Sequence, residues 1–369
     1  MNRYRQIEEW VTTQIRQGSL RVGDKLPSES ELCARFGVSR QTVRIAMSNL
    51  AAVGWTETRK GVGTFCAMRD RRLTRDIALV CYFTGSYIFP RISRGCDQIA
   101  HRNGFHLLLN QSEYDLAKER DIIAKLRRRG VDGIIIEPVY DGEGASNADL
   151  LEEMDREGTP VVLLDNCFRD RPFSRVCMDD LAAGRLVAAH LVEKGHRRIG
   201  ILYDRSYFPK RLRREGAAAE FAARGAEQRP EWTVGYDGPA PAGRALAAMD
   251  AFFRSPDERP TAFICTSDEE AMELYKAAER HGLRIPGDLS VASFDNAQFA
   301  ELPGIDLTSV DHPGQHMGEL ATQLLIDRIL NPAVSSRTVS MIAPRLVERG
   351  SVKNVSDHAD TSPMRGGSV

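Results

Sequence analysis

The sequence predicts an α/β protein in two parts: a small basic helical module ending in a hairpin, then a larger body of alternating strands and helices. Three observations carry that prediction. Residues 1–75 hold 14 basic and 7 acidic side chains, a balance of +7, whereas the remainder holds 36 and 44, a balance of −8. Apolar residues recur at helical spacing in the first module, then change to short continuous apolar runs from Ile77 onward. The 369 residues also exceed what one compact core usually holds. A cationic module on an acidic body points to a polyanionic partner for the module alone.

Tyr4, Ile7, Val11 and Ile15 repeat as one face of a first helix. Gly18, Gly23 and Pro27 break the pattern. Ser28 and Glu31 have capping-box spacing, so a second helix starts there, carrying Leu32, Cys33 and Phe36 and ending at Gly37. Ser39 caps a third helix running to about Val53, with Val43, Met47 and Leu50 inside. Arg40, Gln41 and Arg44 fall on the first turns of its outer face. That is where a groove-reading helix needs long cationic and amide side chains: arginine bridges guanine O6 and N7, and glutamine pairs with adenine. Ser39 and Thr42 suit phosphate oxygens, which set position rather than sequence. Thr56–Arg59 and Gly63–Cys66 read as two strands around a basic tip, a wing from which Lys60 reaches phosphate or a minor groove. The module reads as a winged helix-turn-helix, or as a generic three-helix module whose arginines are simply solvated.

Residues 67–76 are polar and charged, a linker by composition. Beyond them, runs such as "IALVCYF", "GIIIEP", "PVVLLDN", "RIGILYD", "TAFICTSD" and "LSVASFDN" are apolar throughout, which implies parallel strands covered on both faces by helices. About 270 residues of this pattern suit two lobes better than one. In open parallel sheets ligands sit beyond the carboxyl ends of strands. Here those ends carry Asp165-Asn166, Ser267-Asp268 and Asp295-Asn296, able to accept from the hydroxyls of a polyhydroxylated molecule or simply to cap helices and turns.

Two resemblances sharpen this reading. "KLPSESELCARFGVSRQTVRIAMSNLAAVGWTETRKGVGTF" resembles the winged helix-turn-helix of the GntR family of bacterial transcription factors. The resemblance implies DNA contacts from Ser39, Arg40, Gln41, Thr42, Arg44 and the wing around Lys60 and Gly61. Many members have a basic residue where Ser30 stands, which removes one potential base contact. From Asp76 to Arg349, segments such as "FPRISRGCDQIAHRNGFHLLL", "AAGRLVAAHLVEKGHRRIGIL", "HGLRIPGDLSVASFDN" and "LTSVDHPGQHMG" resemble, in order, the effector-binding domain of the LacI/GalR family. That implies a two-lobed periplasmic-binding-protein-like (type I) α/β domain with crossovers near Gly195, Val310 and Pro332. The implied effector contacts are Phe89 as a stacking face, Arg91 as its polar neighbour, Asp179, Arg213, Ser267 and Asp295. The Ser267 position is often asparagine in relatives. The hinge helix of LacI relatives is replaced here by the linker, as in hybrids with a GntR-type head and a LacI-type body.

The expected organisation is 1–67 for the winged helix-turn-helix, 68–76 for the linker and 77–350 for the effector domain. Lobe 1 would take about 77–195 and 311–332, lobe 2 about 196–310 and 333–350, and 351–369 would be a disordered polar tail. The expected function is a ligand-responsive repressor, a homodimer on double-stranded operator DNA, controlled by a sugar or sugar derivative. The alternatives are a sugar-binding protein or a Rossmann-like enzyme. "YFTGSY" lacks the glycines of a dinucleotide fingerprint, and no HExxH or GxSxG occurs, which argues against an enzyme. The seven cysteines are widely spaced without a CxxC pair, so neither a metal site, a cofactor nor a disulfide framework is expected. The charged start lacks a signal-peptide core and no run is long enough to span a bilayer, so a cytoplasmic location without membrane attachment is expected.

Overall fold

A computed structural model describes residues 3–16, 19–21, 23–52, 54–67, 73–83, 88–140, 145–168, 171–238, 243–255, 258–331 and 337–356. The chain divides into two compact units, one built on residues 1–74 and the other on 75–329 and 337–369.

The first unit contains α1 (Arg3–Arg16), α2 (Glu29–Phe36), α3 (Arg40–Ala52) and a hairpin of β1 (Thr56–Arg59) and β2 (Gly63–Cys66). Ile7, Val11 and Ile15 on α1, Leu32 on α2, and Val43, Ala46 and Leu50 on α3 close one core with Trp55 and Cys66. The capping box is present: Ser28 Oγ accepts from the Glu31 amide, and the Glu31 carboxylate accepts from the Ser28 amide. Gly37 ends α2 at φ 62°, where a side chain would be strained. β1 and β2 pair antiparallel, with Arg59 opposite Gly63.

The second unit has two sheets of six strands each. In the first, the order is β13-β7-β6-β5-β3-β4, from β3 (Asp76–Cys81), β4 (His106–Gln111), β5 (Gly133–Ile136), β6 (Val161–Leu164), β7 (Ser174–Met178) and β13 (Val339–Ile342). In the second it is β14-β12-β11-β10-β8-β9, from β8 (Ile199–Asp204), β9 (Thr233–Tyr236), β10 (Ala262–Cys265), β11 (Ser290–Asp295), β12 (Thr308–Asp311) and β14 (Arg345–Val347). All pairings are parallel except β12 with β14. The inner strands are buried almost throughout, as in Gly133–Ile136 and Ala262–Cys265, because helices cover both faces.

In each sheet the first strand lies one in from an edge and is flanked by the next two: β3 lies between β4 and β5, and β8 between β9 and β10. The chain leaves these strands in opposite directions, which opens a crevice at their carboxyl ends. Tyr82, Glu137, Asp204 and Ser267 stand at or just past those ends.

The expected lobe boundaries need two corrections. The helix α7 (Asp180–Glu193) belongs to lobe 2, not lobe 1: its Ala183, Val187, Ala188 and Leu191 pack with Ile199, Ile201, Ala217 and Phe221. It lies on α8 (Phe208–Arg224) so closely that a Cβ on Gly184 would stand 2.0 Å from the Arg213 carbonyl oxygen, and one on Gly216 2.0 Å from that of Leu181. The first crossover is therefore at Asp179, not Gly195. The second does fall just beyond Val310, after β12. The third lies between β13 and β14 rather than at Pro332, because β13 pairs with β7 of lobe 1. The helix α11 (Gly314–Leu330) returns to lobe 1, where a Cβ on Gly318 would stand 2.2 Å from the carbonyl oxygen of Ile92 on α4 (Phe89–Arg102).

The tail expectation also changes. Ser351 is buried, its hydroxyl donating to Val291 O (2.6 Å) and accepting from the Thr308 amide (2.8 Å). Val355 N donates to Lys194 O. The stretch 351–356 is thus stapled to lobe 2; residues 357–369 lie outside the described residues. Asp76, placed in the linker by composition, opens β3, and linker residues 68–72 lie outside the described residues.

Candidate functional site

At the start of α3, Ser39 Oγ accepts from the Thr42 amide (3.3 Å) and meets Thr42 Oγ1 at 3.0 Å. This cap leaves Arg40, Gln41 and Arg44 exposed on the outer face. Arg44 Nε donates to both carboxylate oxygens of Glu29 on α2, at 3.0 and 3.1 Å. That contact fixes where the guanidinium points, and sequence reasoning missed it because Glu29 read only as part of a helix start. Lys60 and Gly61 form the exposed turn of the wing, Gly61 at φ 78°. Between α2, α3 and the wing lies a hollow of about 680 Å³, reached by Lys25, Arg44 and Arg59. Lys25 and Arg59 were not singled out from the sequence, although both belong to the basic excess.

In the body, a cavity of about 860 Å³ lies at the facing carboxyl ends of the two sheets. Of the six residues expected there, Phe89, Arg213, Ser267 and Asp295 line it. Arg91 does not: it points to Asp311 at 3.7 Å. Asp179 does not either. Its carboxylate caps α7 by accepting from the Ala182 amide (2.9 Å), and the next residue, Asp180, turns inward instead.

Arg213 is buried on the second turn of α8. Its Nε donates to Asp180 (2.7 Å), and its Nη1 to Asp295 (3.0 Å) and Thr266 O (2.7 Å). These carboxylates hold its pKa above even the usual arginine value despite burial, while burial pushes Asp180 up to about 6. Ser267 both caps α10 (Asp268–Arg280) and accepts from Lys210 Nζ (3.3 Å), which also pairs with Glu270 (3.0 Å). Asp295 stands at φ 104° and Asp165 at φ 57°, backbone conformations rare for side-chain-bearing residues and typical of ligand sites.

The two lobes meet at Tyr207. Its hydroxyl, from lobe 2, faces Glu137 Oε1 (2.6 Å) and Asp165 Oδ2 (2.9 Å) of lobe 1. Burial first, and the Asp165 charge second, raise Glu137 well above the carboxylate range. Asp165 stays low although burial opposes it, because His312 and Arg213 offset that penalty. Glu137 Oε2 is buried without a partner among the described residues. Tyr82 and Tyr114 stack with ring centroids 3.8 Å apart, and Tyr207 meets both edge-on.

Tyr82, Glu137, Asp204, Tyr207 and Lys210 also line the cavity without having been expected there from the sequence. All but Tyr207 had a signal: the first three end apolar runs, and Lys210 stands three residues before Arg213, hence on one helix face. The strand-end pairs divide their work. Asp165, Ser267 and Asp295 face the cavity. Asn166 donates to Tyr82 Oη and Pro138 O, Asn296 to Asp311, and Asp268 accepts from Ser309 and the Ala297 amide, all locking loops.

A cationic reading helix with a wing, followed by two hinged α/β lobes around a polar cavity, defines a DNA-binding transcriptional regulator with a small-molecule-binding body. Comparison with known proteins agrees. Residues 3–66 match the family model "Bacterial regulatory proteins, gntR family", and residues 188–352 match "Periplasmic binding protein-like domain". The arabinose metabolism transcriptional repressor of Geobacillus stearothermophilus is 29% identical over 96% of this chain and 98% of its own length. The HTH-type transcriptional repressor PurR of Klebsiella pneumoniae is 30% identical over 76% of this chain and 80% of its own. Among solved structures, a LacI family transcriptional regulator from Enterococcus faecium with bound ribose shares the fold at TM-score 0.65, 24% identical over 76% of this chain and 99% of its own. The chain belongs to the bacterial transcription regulators that join a GntR-type head to a LacI-type body.

Proposed function

We propose that the protein represses carbohydrate-utilisation genes, and that a sugar in the inter-lobe cavity controls its grip on operator DNA. The observation that supports this best is the cavity itself, where carboxylates, Lys210 and tyrosine rings from both lobes converge on one space. Carboxylates accept from sugar hydroxyls and ring faces cover the C–H side of a sugar. The name of the Geobacillus relative, an arabinose metabolism repressor matched over nearly its full length, supports the same ligand class.

Ser39, Arg40, Gln41, Thr42, Arg44, Lys60 and Gly61 carry the DNA contact in this reading. The acting form is a homodimer in the cytoplasm, because one such module reads too few base pairs for operator specificity and two half-sites supply the rest. A sugar that prefers one lobe arrangement shifts the population by its differential affinity, typically about 1–3 kcal/mol. The test is fluorescence anisotropy with the full chain and its upstream duplex, titrated with salt and then with a panel of sugars. The expected result is salt-sensitive binding that at least one sugar changes several-fold. Salt-sensitive binding that no sugar alters would remove the sensor from the account.

A further inference from the structure

Two thiols meet in lobe 1, just behind Asp165. Cys167 follows β6, and Cys177 lies on β7. Leu164 pairs with Val176, the Asp165 amide donates to Val176 O (2.9 Å), and Arg175 Nη1 donates to Phe168 O (3.4 Å). The stretch 165–168 is therefore pinned along β7, and Arg175 and Cys177, two residues apart, project to one side of that strand. Cys167 meets them there: its sulfur accepts a hydrogen bond from the Cys177 thiol and lies within the field of the Arg175 guanidinium. Arg175 Nε is buried without a hydrogen-bond partner among the described residues, so an unmatched cationic N–H stands beside the pair. Cys167 is half-buried, as is Cys33 in the head, and the other five cysteines are buried.

We propose that Cys167 and Cys177 form a peroxide-sensitive dithiol, with Cys167 as the attacking sulfur and Cys177 as the resolving one. The Cys177 hydrogen bond, and after it the Arg175 charge, hold the Cys167 thiol below its usual value although burial opposes them, which favours the reactive thiolate. That thiolate attacks one oxygen of the peroxide: an S–O bond forms, the O–O bond breaks, and the other oxygen leaves as hydroxide and takes up a proton. The Cys177 sulfur then attacks the Cys167 sulfur: an S–S bond forms, the S–O bond breaks, and hydroxide leaves with the Cys177 proton as water. The two thiols lose two electrons between them, and the peroxide is reduced to water. The bridge draws the sulfurs to about 2.0 Å and shifts the loop carrying Asp165. Asp165 holds the Tyr207 hydroxyl of lobe 2 through Oδ2 (2.9 Å) and meets His312 through Oδ1 (3.4 Å). Oxidation thus loosens the link between lobes and weakens sugar control of operator binding, a consequence that rests on the cavity being the effector site.

The test treats the reduced full chain with a rising series of hydrogen peroxide and reads the products by non-reducing peptide mapping. The expected product is a peptide pair joined through Cys167 and Cys177, with two of the seven thiols lost at peroxide levels that leave Cys33 reduced, and with both thiols restored by dithiothreitol. Cys167→Ser, a change at a half-buried position, is expected to abolish the linkage and spare the remaining thiols. Cys177→Ala is expected to strand Cys167 as a sulfenic acid that dimedone captures. In operator anisotropy the sugar midpoint is expected to rise about tenfold on oxidation of the natural chain and to stay unchanged in Cys167→Ser. Absence of the linkage, or oxidation of Cys33 ahead of Cys167, overturns the inference whatever the sugars do. A linkage that leaves the sugar midpoint unmoved overturns the regulatory consequence. Operator binding that answers to no sugar overturns the effector reading, while a mapped linkage still upholds the dithiol.

Discussion

Tyr207 has one hydroxyl proton and two carboxyl groups to serve, at 2.6 and 2.9 Å. The elevated Glu137 supplies the balance, since a protonated carboxyl beside an ionised Asp165 needs only that one shared donor. Tyr207→Phe removes the link between lobes. Sugar affinity is expected to fall about tenfold in calorimetry, with a stability loss of ~1–3 kcal/mol in urea titration. In the head, Arg44→Ala is expected to weaken operator binding about 10- to 100-fold, measured by anisotropy against an unrelated duplex to separate base reading from phosphate contact. At this scale the sequence was half legible. Arg213 and Asp295 were readable through motif position, and Arg40, Gln41 and Arg44 through helical phase. Tyr207 was not, because its role depends on two carboxyls 42 and 70 residues away in the chain. Asp179 and Asp180 could not be told apart either, since a helix cap and a buried partner of Arg213 differ only in the direction of one backbone turn.

Helix contacts in both lobes rest on glycine at the crossing point: Gly184 and Gly216 between α7 and α8, Gly95 and Gly318 between α4 and α11. Backbone meets backbone there, so no rotamer change makes room. Gly184→Ala is expected to lower stability by ~1–3 kcal/mol or more, seen as a fall in the melting temperature of the body. His196 anchors the α7–β8 connection, its ring between Thr261 Oγ1 (2.9 Å) and Lys353 O (3.2 Å). Burial depresses its pKa to about 4. Between that value and the ordinary one near 6.5 the unfolded chain binds a proton that the folded chain refuses, so stability is lost as pH falls through this window, by up to ~3 kcal/mol. His196→Gln is expected to flatten that part of a plot of urea midpoint against pH. Elements were well legible, because buried parallel strands announce themselves as continuous apolar runs. Which lobe claimed α7 was not, because its apolar face fits either sheet by pattern and only the glycine contact with α8 decides.

Across the whole molecule, two functions stand on two units, one read from charge and helical phase, the other from strand rhythm. The division was visible in the sequence; the last crossover was not, since β13 and β14 are four and three residues long and half exposed. No described helix is long and apolar enough to cross a membrane. A chain ending at Gly350 loses Ser351 and its two buried hydrogen bonds, and its body is expected to melt several degrees below the full chain in calorimetry. The same late residues bear on synthesis. The winged module is complete by Cys66, whereas each lobe waits for an edge strand encoded after residue 338. A ribosome that stops early would release a complete winged module on a body with two raw sheet margins, a reader uncoupled from its sensor.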